Sequence, residues 1–97
     1  MNNDYIIKEN KYPSLEIKAL NEEKISFNLS NANIKLNGYK IIGYNDDIYY
    51  YYFIIPNLNG QTIIDFTLLN EENNGERHLK YQVTVNKDLS VSYEEIN

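Results

Sequence analysis

The chain of 97 residues contains no cysteine and no tryptophan, two prolines, four glycines and a single histidine. Without cysteine there is no disulfide framework, no thiolate metal site and no cysteine nucleophile. Small secreted domains often depend on disulfides, so their absence favours a reducing compartment, although surface proteins of Gram-positive bacteria also avoid cysteine. No apolar run approaches the roughly 18 residues of a membrane span. Met1-Asn2-Asn3-Asp4 carries neither the basic segment nor the apolar stretch of a signal peptide. The scarce glycines, Gly38, Gly43, Gly60 and Gly75, are isolated, so no glycine-rich phosphate loop exists. His78 lacks metal-ligand partners at a recognisable spacing, and no serine is placed to act with it as a nucleophile. Carbohydrate-stacking modules lean on tryptophan, which is missing. The expectation is a non-catalytic chain with no metal or other cofactor.

Basic charge is also in short supply. Nine basic residues, among them only one arginine, Arg77, face fourteen acidic ones, a net charge of −5. Nucleic acids and anionic membranes both select for basic patches, so neither is an expected partner. The acidic residues come as doublets, Glu22-Glu23, Asp46-Asp47, Glu71-Glu72 and Glu94-Glu95. Read plainly they are solvated loop and terminal charges; read as a surface they favour a partner protein with a basic face.

What the chain has in quantity is β-branched and aromatic residues, with very little alanine, a balance that favours strands. Apolar and polar residues alternate at Leu15/Ile17/Ala19, Ile25/Phe27/Leu29, Ile64/Phe66/Leu68, Leu79/Tyr81/Val83/Val85 and Leu89/Val91/Tyr93. Each alternation describes a strand with one buried face. Strands are expected at 4–9, 14–20, 24–30, 33–36, 39–44, 48–55, 61–69 and 77–94, the last bent at 86–88. A short helix from Ser14 is the alternative for 14–23. Asn37-Gly38 reads as a two-residue hairpin turn. The acidic Asn-led segments near 21, 45 and 70 suggest a repeated hairpin unit about 24 residues long. All connections are short, which suits antiparallel neighbours. The predicted fold is a single all-β domain over 1–97, a small antiparallel meander of about eight strands closing as a compact barrel or an immunoglobulin-like sandwich.

One segment has more apolar surface than a half-buried strand needs. Ile48-Tyr49-Tyr50-Tyr51-Tyr52-Phe53-Ile54-Ile55 sends Tyr49, Tyr51, Phe53 and Ile55 to one face and Ile48, Tyr50, Tyr52 and Ile54 to the other. The phenylalanine assigns the first set to the core. Tyr50 and Tyr52 then point outward, joined by Tyr44 and by Asp46 and Asp47 in the preceding turn. These five residues are the candidate protein-binding site, because tyrosine combines large contact area with low rotamer entropy. The competing reading buries both faces, one of them beneath Tyr5, Ile7 and Tyr12.

The stretch 60–85, with Phe66 and Tyr81-Gln82-Val83-Thr84-Val85, resembles in cadence the immunoglobulin-like domains of bacteria and the sandwich-type inhibitors of cysteine peptidases. The loop motifs that define those inhibitors are not found at 31–38 or 73–77. The resemblance implies a sandwich and assigns no family. Small size, acidic balance and surplus tyrosine together suggest an intracellular stoichiometric inhibitor, either a toxin-immunity protein or a phage-encoded antagonist of a host defence enzyme. It would act in the cytoplasm by occlusion. The alternatives are an extracellular immunoglobulin-like module, if the chain is a piece of a longer surface protein, and a self-associating structural or virion protein.

Overall fold

A computed structural model describes residues 12–20, 22–43 and 47–96. The expected strand at 4–9, with Tyr5 and Ile7, lies outside the described residues. Seven strands follow in order: β1 (Ser14–Ala19), β2 (Glu23–Leu29), β3 (Ile34–Ile42), β4 (Ile48–Pro56), β5 (Gly60–Asn70), β6 (Glu76–Val85) and β7 (Val91–Ile96). No helix occurs among the described residues, and 14–19 is strand, as its alternation requires. The strands form two antiparallel sheets, one ordered β1-β4-β3 and the other β2-β5-β6-β7. The architecture is therefore a β-sandwich and not a barrel.

Two expectations are corrected. Asn37-Gly38 is not a turn: it lies inside β3, where Gly38 pairs with Tyr52 of β4. A Cβ on Gly38 would sit 2.7 Å from Tyr52 Cε1. The glycine is there so that an aromatic ring can lie over the strand, a close approach that only a missing side chain permits. With that turn gone, the repeated hairpin unit has no basis.

The chain is also not a simple meander. Only β3–β4, β5–β6 and β6–β7 are paired hairpins, whereas β1–β2, β2–β3 and β4–β5 cross between sheets. A three- or four-residue link can arch over the core as readily as it turns within a sheet, so short links do not discriminate. Two of the arches are stitched together at one end of the sandwich. The amides of Asn57 and Leu58 donate to the Asn33 carbonyl, and Asn57 Nδ2 donates to the Ala32 carbonyl. Asn31 Oδ1 accepts from the Asn33 amide at 3.0 Å and from the buried Thr62 hydroxyl at 2.6 Å.

The core lies between the sheets. Leu15, Ile17, Ala19, Ile34, Leu36, Tyr52 and Ile54 of one sheet meet Ile64, Phe66, Leu68, Val83 and Val85 of the other. A line of aromatic contacts runs through it: Phe27–Tyr52 at 5.6 Å, Tyr52–Phe66 at 5.0 Å, Phe66–Tyr81 at 6.0 Å and Tyr81–Tyr93 at 6.3 Å between ring centroids. Such offset and edge-on pairs add roughly 0.5–1.5 kcal/mol each beyond the area they bury.

Candidate functional site

The structure reverses the assignment of faces on the tyrosine strand. Register places Leu15 opposite Tyr52, Ile17 opposite Tyr50 and Ala19 opposite Ile48. Paired residues share a face, and β1 turns its apolar set towards the other sheet, so β4 must turn Ile48, Tyr50, Tyr52 and Ile54 the same way. Tyr52 is 6% exposed, and burial pushes its phenol up to about 12. It is an interior residue, not a surface contact. Tyr50 is half-buried, packs on the core and stacks on Tyr52 at 6.5 Å. Asp47 is half-buried and pairs with Lys18 at 3.6 Å. Tyr44 and Asp46 lie outside the described residues.

The opposite face holds Tyr49, Tyr51, Phe53 and Ile55, the set expected in the core. Phe53 is itself buried, edge-on to Tyr39 at 5.5 Å. Tyr49, Tyr51 and Ile55 are half-buried. A hydrogen bond with Glu16, then burial, raises the pKa of Tyr51 above the usual tyrosine value. Both faces of β4 therefore carry substantial burial.

Exposed apolar surface appears instead where the two sheets stop overlapping. Along the inward register of β3, Ile34 and Leu36 are buried, but Gly38, Lys40 and Ile42 are exposed. Ile42 is 65% exposed, the largest value among the exposed large apolar side chains of the described residues. Lys40 pairs with Tyr50 and Ile42 with Ile48, so this bare half of β3 continues directly into the half-buried Tyr50. On the facing sheet Phe27, an inward residue of β2, is 37% exposed and touches Tyr52. Phe27, Tyr50, Lys40 and Ile42 thus form a strip along the open side of the sandwich, leading to the β3–β4 link and Asp47. Of the five residues singled out from the sequence, Tyr50 belongs to this strip and Asp47 adjoins it. Phe27 and Ile42 carried no separate signal, because alternation gives a residue's face without saying how far the opposing sheet extends.

On the solvent face of β5–β6, His78 Nδ1 lies 3.2 Å from both Asp65 Oδ1 and Thr67 Oγ1, while Nε2 faces Glu76 at 3.4 Å. Asp65 and Thr67 share Nδ1, so the imidazole is held between polar side chains of β5 and β6. No group of three or more His, Cys, Asp or Glu side chains among the described residues could hold a metal ion.

Glu23 corrects a second reading. As half of an acidic doublet it was expected in solvent, yet it is 7% exposed. Its carboxylate accepts from Arg77 Nε and Nη2, both at 2.9 Å, and from the Leu20 amide at 2.8 Å. The Arg77 hydrogen bonds hold the Glu23 carboxyl below the usual carboxylate range.

No protein-family model matches the chain. Neither the curated proteins nor the solved structures contain a match. The functional reading therefore rests on the geometry alone.

Proposed function

We propose that this chain is a protein-recognition β-sandwich acting by stoichiometric occlusion, as an inhibitor or immunity protein does, with the Phe27–Tyr50–Lys40–Ile42 strip as its contact surface. The observation that carries the reading is the bare inner half of β3, where Ile42 stands 65% exposed beside a half-buried tyrosine. Tyrosine is among the residues that concentrate binding energy at interfaces, where truncating one anchor costs about 2 kcal/mol or more, and Ile42 adds apolar area beside it. The net charge of −5 favours a partner with a basic surface and would speed encounter with it.

The test is capture from source-cell lysate with the wild-type chain and with Ile42→Asp as baits, followed by native mass spectrometry of what is retained. Ile42 is too exposed for the substitution to disturb the core. One protein retained by wild type in a one-to-one complex and lost by Ile42→Asp is the expected result. Retention that Ile42→Asp leaves unchanged, or no retention at all, refutes the assignment.

The wiring supports a second reading. Counted as second to seventh strands, β1–β6 have the neighbour relations B-E-D and C-F-G of an immunoglobulin constant-type sandwich, with β7 added beside the last. That order suits an adhesion or spacer module of a surface protein. Such a module would show no single intracellular partner, and the same strip would mediate contact between neighbouring domains or copies. A molecular mass that rises with protein concentration in wild type, and not in Ile42→Asp, would favour it over occlusion.

A further inference from the structure

The Glu23–Arg77 pair joins three elements at one corner. Glu23 opens β2, Arg77 lies on β6, and Arg77 Nη2 also donates to the Lys18 carbonyl of β1 at 2.9 Å. The Leu20 amide, in the link between β1 and β2, donates to the same carboxylate. Two further backbone bonds depend on the corner keeping its shape: the Glu23 amide to the Leu20 carbonyl, and the Glu71 amide to the Glu22 carbonyl. One buried charge thus fixes the arch that carries the chain from one sheet to the other. The side chain of Glu23 is 4% exposed and that of Arg77 is 45% exposed. When the ion pair is lost, the arginine can therefore turn into water, whereas no other cation among the described residues pairs with Glu23.

We propose that the Glu23–Arg77 pair is an acid-released clasp: when Glu23 takes a proton, the β1–β2 corner opens locally while both sheets stay paired. This goes beyond the recognition reading and does not depend on it. The surrounding charges do not substitute for the clasp. Lys18 directs its ammonium to Asp47, Lys24 pairs with Glu71 at 3.2 Å, and Glu76 turns to His78 on the solvent face. Glu22, next in the chain, adds only negative charge. The sign follows from the direction of the shift. A carboxyl whose folded value is depressed contributes stability above its unfolded value, near 4.5, and loses it as pH falls through the folded value. Glu23 is also the group whose protonation removes a charge-assisted, two-pronged hydrogen bond, the strongest kind available to a side chain.

The experiment is residue-resolved amide exchange on the full chain at pH 7 and pH 3, each corrected for intrinsic exchange. Wild type, Glu23→Gln and Glu71→Gln are compared. Protection at Leu20, Glu23 and Glu71 is expected to fall roughly tenfold or more at low pH, the size associated with hydrogen bonds to a charged group, while β5 and β6 stay protected. Glu23→Gln should show the weakened corner already at pH 7 and little further change. Glu71→Gln should behave as wild type at Leu20 and Glu23. The proposal is overturned if the corner keeps its protection at pH 3, if all strands lose protection together, or if Glu23→Gln matches wild type at pH 7.

Discussion

Replacing Gly38 with alanine isolates the contact that organises the interior of the tyrosine sheet. The new methyl carbon would lie 2.7 Å from Tyr52 Cε1 and 3.0 Å from Cδ1, against the 3.5–4.0 Å at which carbon atoms attract one another. Relief requires the ring to retreat by about 1 Å, the difference between those separations. The ring has little room to move, with Phe66 at 5.0 Å, Phe27 at 5.6 Å and Tyr50 at 6.5 Å between centroids. Overpacking of this kind costs about 1–3 kcal/mol. Removing a glycine from the unfolded chain returns about 0.4–1 kcal/mol where alanine fits the backbone, and Gly38 does not need positive φ. The net expectation is a loss of about 1–2 kcal/mol, which for a domain of this size lowers Tm by roughly 4–16 °C. Urea denaturation of Gly38→Ala, Tyr52→Leu and the double variant measures it. The smaller leucine should relieve the clash, giving a favourable coupling of about 1 kcal/mol or more between the two changes. A Gly38→Ala protein as stable as wild type refutes the reasoning. So does an equal penalty with Leu at position 52, since the glycine would then be required by its backbone and not by the ring.

Other expectations follow from the same interior. Because burial raises the Tyr52 phenol to about 12 from an ordinary value of 10.0, the unfolded chain ionises first as pH rises. Stability should therefore fall between pH 10 and 12 by about 2–3 kcal/mol from this group, and Tyr52→Phe should flatten that slope in urea melts. Gly60 sits at φ 137°, and a Cβ added there would run into the Asn33 side chain; Gly60→Ala should cost about 1–3 kcal/mol, seen as a lowered urea midpoint. Thr62 is buried and bonds to Asn31. Thr62→Val leaves the Asn31 acceptor its bond from the Asn33 amide, so calorimetry should register a loss of only about 1 kcal/mol.

The strands were legible because water lies on one side of most of them. Leu15/Ile17/Ala19 and Ile64/Phe66/Leu68 each state a single buried face, and the structure buries that face. The tyrosine strand states two faces, so alternation alone could not orient it. The Phe53 criterion failed because both faces are well covered, and the deciding information lies in the register with β1 and in Gly38 across β3. Tyr52 is 37 residues from its partner Leu15 and 14 from Gly38, and no local pattern reports those pairings. For the same reason Glu23 reads as a surface charge until Arg77, 54 residues later, is seen beside it. Asn57 ties the β4–β5 arch to the β2–β3 arch, and Asn31 ties the β2–β3 arch to Thr62 of β5, through bonds that composition cannot reveal. At the candidate site, Tyr50 and Asp47 were legible as members of an aromatic strand and its turn. Ile42 and Phe27 became visible only once the limits of the facing sheet were known.

The most direct test of the recognition surface compares two matched substitutions in one quantitative capture experiment. Ile42→Asp alters the bare end of β3, and Leu58→Asp alters an equally open leucine, 56% exposed, in the β4–β5 arch. Both add one negative charge outside the core, so folding and net charge are held alike. The expected result is that the partner is lost with Ile42→Asp and retained with Leu58→Asp. Retention by both variants, or loss only with Leu58→Asp, would contradict the assignment of the strip.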